Sequence, residues 1–405
     1  MKSIPVKKKK HLIAQSEATL LQLVRSHQGI SRIELASLMG IAPSTIGIFV
    51  SRLIREGFLA EESIVKQDRG RPRTVLSLDP KGGYLLGVDI EATRIRAVRL
   101  NFKEEIEDSV SIKIDPDQGV DTVLNTARSA IQQVLPKPKN KILGLGIAAP
   151  GPFDSKGEKS LSYTYIKGWE NISLLSYFRK HFQMPIYLES NLRSIASAEL
   201  WFGQGRTLDN FVCITVRGGI GVGVVTHGQL VKGVHCNAGE IGLWLYPSGF
   251  LDKKILRAAF PSLPAHIELE KVASVRAVLK NITACIQAGH TSLLAKYTSS
   301  PSIEAVLDAY HQGDALTIQH LNTAADALGW AANQLGLLLD PALIILSGPF
   351  MELGIPFLKR IQNAAIRSDE ARKFSFPPIG YSTLGELSGA LGAAAQIVHY
   401  WVPAR

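Results

Sequence analysis

Ser31-Arg-Ile-Glu-Leu-Ala-Ser-Leu-Met-Gly40, continued by Ile41-Ala-Pro-Ser-Thr-Ile-Gly-Ile-Phe-Val-Ser-Arg-Leu-Ile-Arg-Glu-Gly57, reads as two helices with a turn between them. Ser31 and Glu34 have capping-box spacing, in which hydroxyl and carboxylate satisfy each other's orphan amides. Gly40 suits the left-handed position after a helix. Pro43 suits the first turn of the next helix, where no amide donor is needed, and Gly57 closes that helix. Upstream, Leu20, Leu21, Leu23 and Val24 form an apolar stripe over about Ser16 to His27. Helix, glycine-containing turn and helix make a helix-turn-helix pattern, with Ile33, Leu35, Leu38, Ile41, Ile46, Val50, Leu53 and Ile54 as its small core. In that pattern the later helix enters a DNA major groove N-terminal end first. Its exposed candidates are Ser44, Thr45, Gly47, Ile48, Ser51 and Arg52. Gly47 and Ile48 have no side chain able to hydrogen-bond a base, so direct readout is thin.

Outward from this core, Phe58–Ala60 and Val75–Leu78 bracket Gln67-Asp-Arg-Gly-Arg-Pro-Arg73. Two apolar stretches around a slim cationic tip read as a β-wing. Arg69, Arg71 and Arg73 would suit a narrow, A·T-rich minor groove, where negative potential is strongest. The plainer alternative is a basic interdomain loop. Residues 1–80 hold 13 Lys/Arg against 7 Asp/Glu, a net of +6 out of +10 for all 405 residues. A basic module on a nearly neutral body points to a polyanion partner. A solubilising tail carrying Lys7 to Lys10 would give the same charge.

Beyond Tyr84, buried strands are expected at Tyr84–Asp89, Arg96–Leu100, Ile142–Ala148, Pro185–Glu189, Phe211–Val216, Gly221–Thr226 and Leu343–Leu346. Helical stretches at about 119–134 and 191–202, and a mainly helical last third, complete an α/β pattern. Apolar residues make up 46% and charged residues 20%, the composition of a folded chain. The three cysteines, Cys213, Cys236 and Cys285, are widely spaced, which excludes a disulfide framework and fits a reducing cytoplasm. No apolar run reaches eighteen residues, so no membrane span is expected.

The chain resembles the ROK family of repressors, open reading frames and kinases. The resemblance rests on Gly70-Arg-Pro72, Leu76-Ser-Leu-Asp-Pro80, Leu86-Gly-Val-Asp89, Gly144–Asp154, Gly219–Gly223 with Asn237–Gly242, and Leu339–Gly348. It implies a winged helix-turn-helix over residues 1–80. Residues 81–405 would then form a two-lobed actin/hexokinase-like (ribonuclease H-like) sugar-kinase fold with a sugar cleft between the lobes. It also implies a homodimer or homotetramer.

Where the family places a catalytic aspartate, in Glu-Asn-Asp-Ala-Asn, this chain has Glu189-Ser-Asn-Leu-Arg193. The base position is Asn191, and an amide cannot accept a proton at neutral pH. The family's first phosphate turn, Asp-x-Gly-Gly-Thr, here reads Asp89-Ile-Glu-Ala-Thr93; both glycines are gone and Glu91 adds negative charge. The second reads Arg217-Gly-Gly-Ile-Gly221, where Arg217 would favour an anion. The family's zinc histidine is replaced by Leu243 and its cysteine run is missing, so neither metal nor cofactor is expected; His235 and Cys236 read as packing residues. On the sugar side the resemblance carries over Ser190, Asn191 and Glu240, and Gly151 would let backbone approach a ligand. A structural carboxylate at Glu240 and a plain turn at Gly151 are the alternatives. Trp169 would stack on a sugar or pack in the core. The combined reading is a cytoplasmic, non-enzymatic transcriptional regulator of repressor type. It would bind a double-stranded DNA operator and sense a sugar or sugar derivative. The alternatives are a sugar kinase with an accessory DNA-binding head, and a regulator whose body serves only oligomerisation or protein docking.

Overall fold

Helix α1 (Val6–Ser26) leads into α2 (Arg32–Met39) and α3 (Pro43–Arg55), followed by the antiparallel pair β1 (Leu59–Ile64) and β2 (Arg73–Leu78). These come from a computed structural model, which describes residues 6–27, 29–64, 73–137, 141–154, 156–251, 264–297, 300–366 and 375–400. The capping box is made: the Glu34 amide donates to Ser31 Oγ at 3.3 Å and the Ser31 amide to Glu34 Oε2 at 2.8 Å. Gly40 is left-handed, at φ 61°. Leu20, Leu35, Ile46, Val50 and Leu53 are fully buried together. Two expectations fail. Ile33 and Leu38 are 76% and 56% exposed, because the eight-residue α2 buries only its Leu35–Ala36 side. Lys7 to Lys10 lie inside α1, which starts at Val6, rather than in a tail preceding it.

The body is two five-stranded sheets that repeat one plan. The first runs β5-β4-β3-β6-β9, from β3 (Tyr84–Ile90), β4 (Arg94–Asn101), β5 (Ile106–Lys113), β6 (Ile142–Ala149) and β9 (Ile186–Ser190). Its first three strands pair antiparallel, and β6 and β9 add in parallel. Helix α4 (Val120–Gln133), the short pair β7 (Ser160–Ser162) and β8 (Glu170–Ile172), and α5 (Leu174–His181) lie between these strands in the chain. The second sheet runs β12-β11-β10-β15-β16, from β10 (Phe211–Val216), β11 (Ile220–Thr226), β12 (Gln229–Leu230), β15 (Ile344–Ser347) and β16 (Ile379–Tyr381). Again an antiparallel trio is extended by two parallel strands. Between β12 and β15 come β13 (Leu245–Pro247), β14 (His266–Glu268) and, among the described residues, four helices. These are α7 (Glu270–Ala273), α8 (Val275–Gln287), α9 (Ile303–His311) and α10 (Ala315–Leu339). Helix α11 (Gly354–Ile366) precedes β16.

Helices α6 (Asn191–Phe202) and α12 (Ser388–Tyr400) each follow the last strand of a sheet and pack against one another. Glycine permits the contact: a methyl at Gly392 would overlap the Ser194 carbonyl, and one at Gly146 the Ala393 carbonyl. The N-terminal elements join the first lobe. Phe102 of that lobe is buried in their core, and its ring lies 5.2 Å from that of Phe58. Arg25 of α1 is ion-paired with Glu104, and its guanidinium carbon lies 5.9 Å from the Phe102 ring and 5.7 Å from that of Trp201. Lys141 donates to the Glu56 carbonyl at 3.0 Å.

Candidate functional site

Helix α3 exposes one continuous stripe. Ser44, Ile48, Ser51 and Arg55 recur at helical spacing and all face outward, with Thr45 and Gly47 half-buried beside them. Ile48 is 68% exposed. Arg32 reaches Ser51 Oγ at 3.5 Å. Arg52 does not join the stripe, contrary to expectation. Its Nη1 lies 3.2 Å from Glu17 Oε1 and its Nε 2.7 Å from Glu56 Oε1, and Glu17 is fully buried. A buried carboxylate needs a cation, and Arg52 supplies it. Arg55 takes the outward position instead, and its exposure was not singled out from sequence. Arg69 and Arg71 lie outside the described residues. Arg73 opens β2 opposite Ile64, and its side chain is likewise outside the description.

Parallel pairing of β6 with β9 sets Ala149 beside Ser190, so the Pro150–Gly151 turn and the start of α6 share one end of the sheet. Gly151 has φ 82°, and a methyl there would overlap the Ser162 carbonyl. The β7 hairpin therefore requires this glycine. Ser190 caps α6, its Oγ accepting from the Arg193 amide at 3.3 Å, and Asn191 is the first, half-buried residue of that helix. Next to them Glu189 is buried between Arg193 Nε and Lys232 Nζ, each at 2.7 Å. Burial alone would raise this carboxyl; the two cations hold it below its ordinary range. Arg193 also donates to the Cys236 carbonyl at 2.7 Å.

Glu240 faces the same region. Burial raises its pKa, Arg193 opposes the rise, and the charge of Glu270 adds to it. Glu270 is raised too, by burial and by Glu268, and its carboxylate lies against Gly219 and Gly242. Both carboxyls are desolvated, and as acceptors they suit ligand hydroxyls. Sequence reading missed Glu270. It opens the four-residue α7, and no spacing rule ties it to Glu240. Tyr163 and Tyr165 stand edge to face at 5.0 Å, and the Arg276 guanidinium carbon sits 4.0 Å from the Tyr165 ring centre. Trp169 is core; its Nε1 donates to Ser160 Oγ at 2.8 Å.

The two phosphate-type turns meet through charge. Arg217 Nη1 lies 2.7 Å from Asp89 Oδ2 and 2.8 Å from Glu91 Oε1, and Arg96 Nη1 lies 2.5 Å from Glu91. Burial pushes Asp89 up to about 6, against the pull of Arg217. Arg217 is itself raised, because the charges of Glu91 and Asp89 outweigh its burial. The expectation that Arg217 favours an exogenous anion is corrected: its anions are carboxylates of the other lobe. A triphosphate here would have to displace both. Among the described residues, no three His, Cys, Asp or Glu side chains are grouped to hold a metal ion. No single helix among them is long and apolar enough to cross a membrane. His320 is buried beside Cys285, at 3.4 Å, and burial lowers its pKa to about 4.

Known proteins share this architecture over different spans. The chain is 23% identical over 385 residues to a xylose repressor of Caldicellulosiruptor bescii, covering 94% of each protein. It is 23% identical over 390 residues to the DNA-binding transcriptional dual regulator NagC of Escherichia coli, covering 94% of this chain and 92% of NagC. A glucokinase of Thermotoga maritima is 26% identical over 317 residues, covering 77% of this chain and 96% of the kinase. Among solved structures, a ROK family transcriptional regulator, described as a homologue of the E. coli MLC protein, superposes with TM-score 0.75. The match is 24% identical and covers 96% of this chain and 97% of that one. A Streptomyces griseus ROK glucokinase in complex with glucose and AMPPNP superposes with TM-score 0.65 at 21% identity, covering 78% of this chain and 99% of that one. The sequence profile of the ROK family matches residues 85–399, taking in both sheets and the residues that converge between them, and the chain belongs to that family.

Proposed function

We propose that this protein is a DNA-binding transcriptional repressor whose kinase-like body senses a sugar or sugar derivative without phosphorylating it. Residues 1–80 act as a winged helix-turn-helix head, and residues 81–405 act as sensor and dimer scaffold. Relatives named as regulators match nearly end to end, whereas the glucokinase match leaves about a quarter of the chain uncovered. The observation that carries the reading is the ion cluster of Arg217, Asp89 and Glu91, which fills the meeting point of the phosphate turns with internal charge. Asn191 stands where a kinase of this family has its proton acceptor. Glu240, Glu270 and Asn191 remain as hydrogen-bonding groups for hydroxyls. On the DNA side the contacts are Ser44, Thr45, Ile48, Ser51 and Arg55 from α3, and Arg69, Arg71 and Arg73 from the wing. The working form is a cytoplasmic homodimer that presents two heads to an operator of double-stranded DNA.

Two measurements test this together. Fluorescence anisotropy with a duplex pool should show binding that weakens steeply between 50 and 200 mM salt, by roughly a thousandfold if six or more phosphates are neutralised. ADP release with ATP and a panel of sugars should stay at background. Sugar-dependent ADP release, or an absence of duplex binding at low salt, overturns the reading.

A further inference from the structure

The outward stripe of α3 is chemically unusual for a surface that meets a polyanion. Its middle carries no charge. Arg52, the cation nearest the centre of the helix, is turned inward and held by Glu17 and Glu56. What the helix presents there is Ile48, flanked one turn away by the hydroxyls of Ser44 and Ser51.

Gly47, half-buried beside this stripe and next to Ile48, is a second and independent observation. A glycine inside a helix lowers its stability relative to alanine. Among the described residues, nothing calls for it. Its φ lies outside the left-handed range, and a methyl at that position would meet no atom within 4 Å. The missing side chain leaves open space at this position among the described residues. Gly47 lies three residues after Ser44 and four before Ser51, so the bare backbone, half-buried, borders the exposed stripe.

We propose that Ile48 selects a thymine through its 5-methyl group, and that Gly47 lets α3 sit deep enough in the major groove for that contact. The inference rests on the DNA-binding reading and adds to it the base chemistry that the helix selects. The 5-methyl of thymine is the one apolar feature on the major-groove edge of a base pair, and an isoleucine flanked by hydroxyls is its natural complement. The net +6 of the surrounding module holds the helix against the phosphates, leaving discrimination to an uncharged centre.

The full-length protein is used to enrich tight-binding duplexes from a random-sequence pool. Each thymine of an enriched duplex is then replaced in turn by deoxyuracil, which removes only the methyl group. The wild type should lose roughly fourfold in affinity at one thymine per half-site, the ratio that one buried methylene-sized group contributes. Ile48→Ala, at an exposed position, should keep the wild-type Tm, bind the thymine duplex with the same loss, and no longer distinguish thymine from deoxyuracil there. Gly47→Ala should raise the Tm while weakening binding at least tenfold, opposite signs that a purely structural role does not produce. If the enriched duplex binds but no position loses its methyl sensitivity in Ile48→Ala, or Gly47→Ala binds like wild type, the inference is overturned and DNA binding stands. If no duplex is enriched, DNA binding falls and takes this inference with it.

Discussion

Arg217 and Asp89 tie the two lobes together: a guanidinium nitrogen of the β10–β11 turn lies 2.7 Å from a fully buried carboxylate at the end of β3. The same nitrogen lies 2.8 Å from Glu91, so one arginine neutralises two acids of the opposite lobe. Breaking such a pair from one side leaves charge stranded in a low-dielectric interior. Arg217→Ala should therefore destabilise the body by about 3–5 kcal/mol in urea unfolding. Pairing it with Asp89→Asn should recover part of that loss, because the stranded charge is then gone.

The titration of Asp89 sets a pH dependence with a definite sign. Its pKa rises from an ordinary 3.8 to about 6 in the folded protein, so the native state binds the proton more tightly than the unfolded chain does. Its contribution to stability is greatest below about pH 4, declines as the pH rises to 6, and is lost above that. Unfolding free energies at pH 4, 5, 6 and 7 for wild type and Asp89→Asn measure it by difference; the wild-type advantage at low pH should shrink over this window.

Sequence pattern carried the regular elements well and the charge network poorly. The caps at Ser31, Gly40 and Pro43, and the apolar runs of β3, β6 and β10, are local signals, and each marked its element. Strand β5 escaped because its residues, Ile106–Lys113, alternate at a sheet edge with several charges among them. Arg52 and Arg217 were misassigned for one shared reason. Their partners Glu17 and Asp89 lie 35 and 128 residues away in the chain, and only the fold brings them within hydrogen-bond reach. Glu270 was missed likewise, since its neighbour Glu240 lies across a segment with no recognisable spacing.

Arg52 offers a clean separation of fold from contact. Removing its guanidinium leaves the buried Glu17 short of its counter-charge, so Arg52→Ala should cost roughly 2–3 kcal/mol. DNA affinity should fall with it. That fall should vanish when binding is measured well below the lowered Tm with the folded fraction normalised. A residue that touched DNA directly would keep its deficit.

Arg25 anchors the N-terminal helices to the body through Glu104 and through the faces of Phe102 and Trp201. Arg25→Ala should raise hydrogen exchange throughout α1 and in the Phe102–Glu105 turn while leaving the second sheet protected. Trp201→Phe should do the same more weakly, since it keeps an aromatic ring in the cluster of Leu85 and Val98 while weakening a cation–π contact worth about 1 kcal/mol.

Helix α6 has Asn191 at one end and Trp201 at the other, ten residues or about 15 Å apart along a rigid rod. Its first turn carries Arg193, whose charge acts on Glu240, and its last turn sets the Trp201 ring 5.7 Å from the arginine that anchors the N-terminal helices. One helix thus borders both the Glu240 region and the seat of the N-terminal helices. If the proposed sensing shifts its first turn, the same rod carries that shift to the anchor of the N-terminal helices.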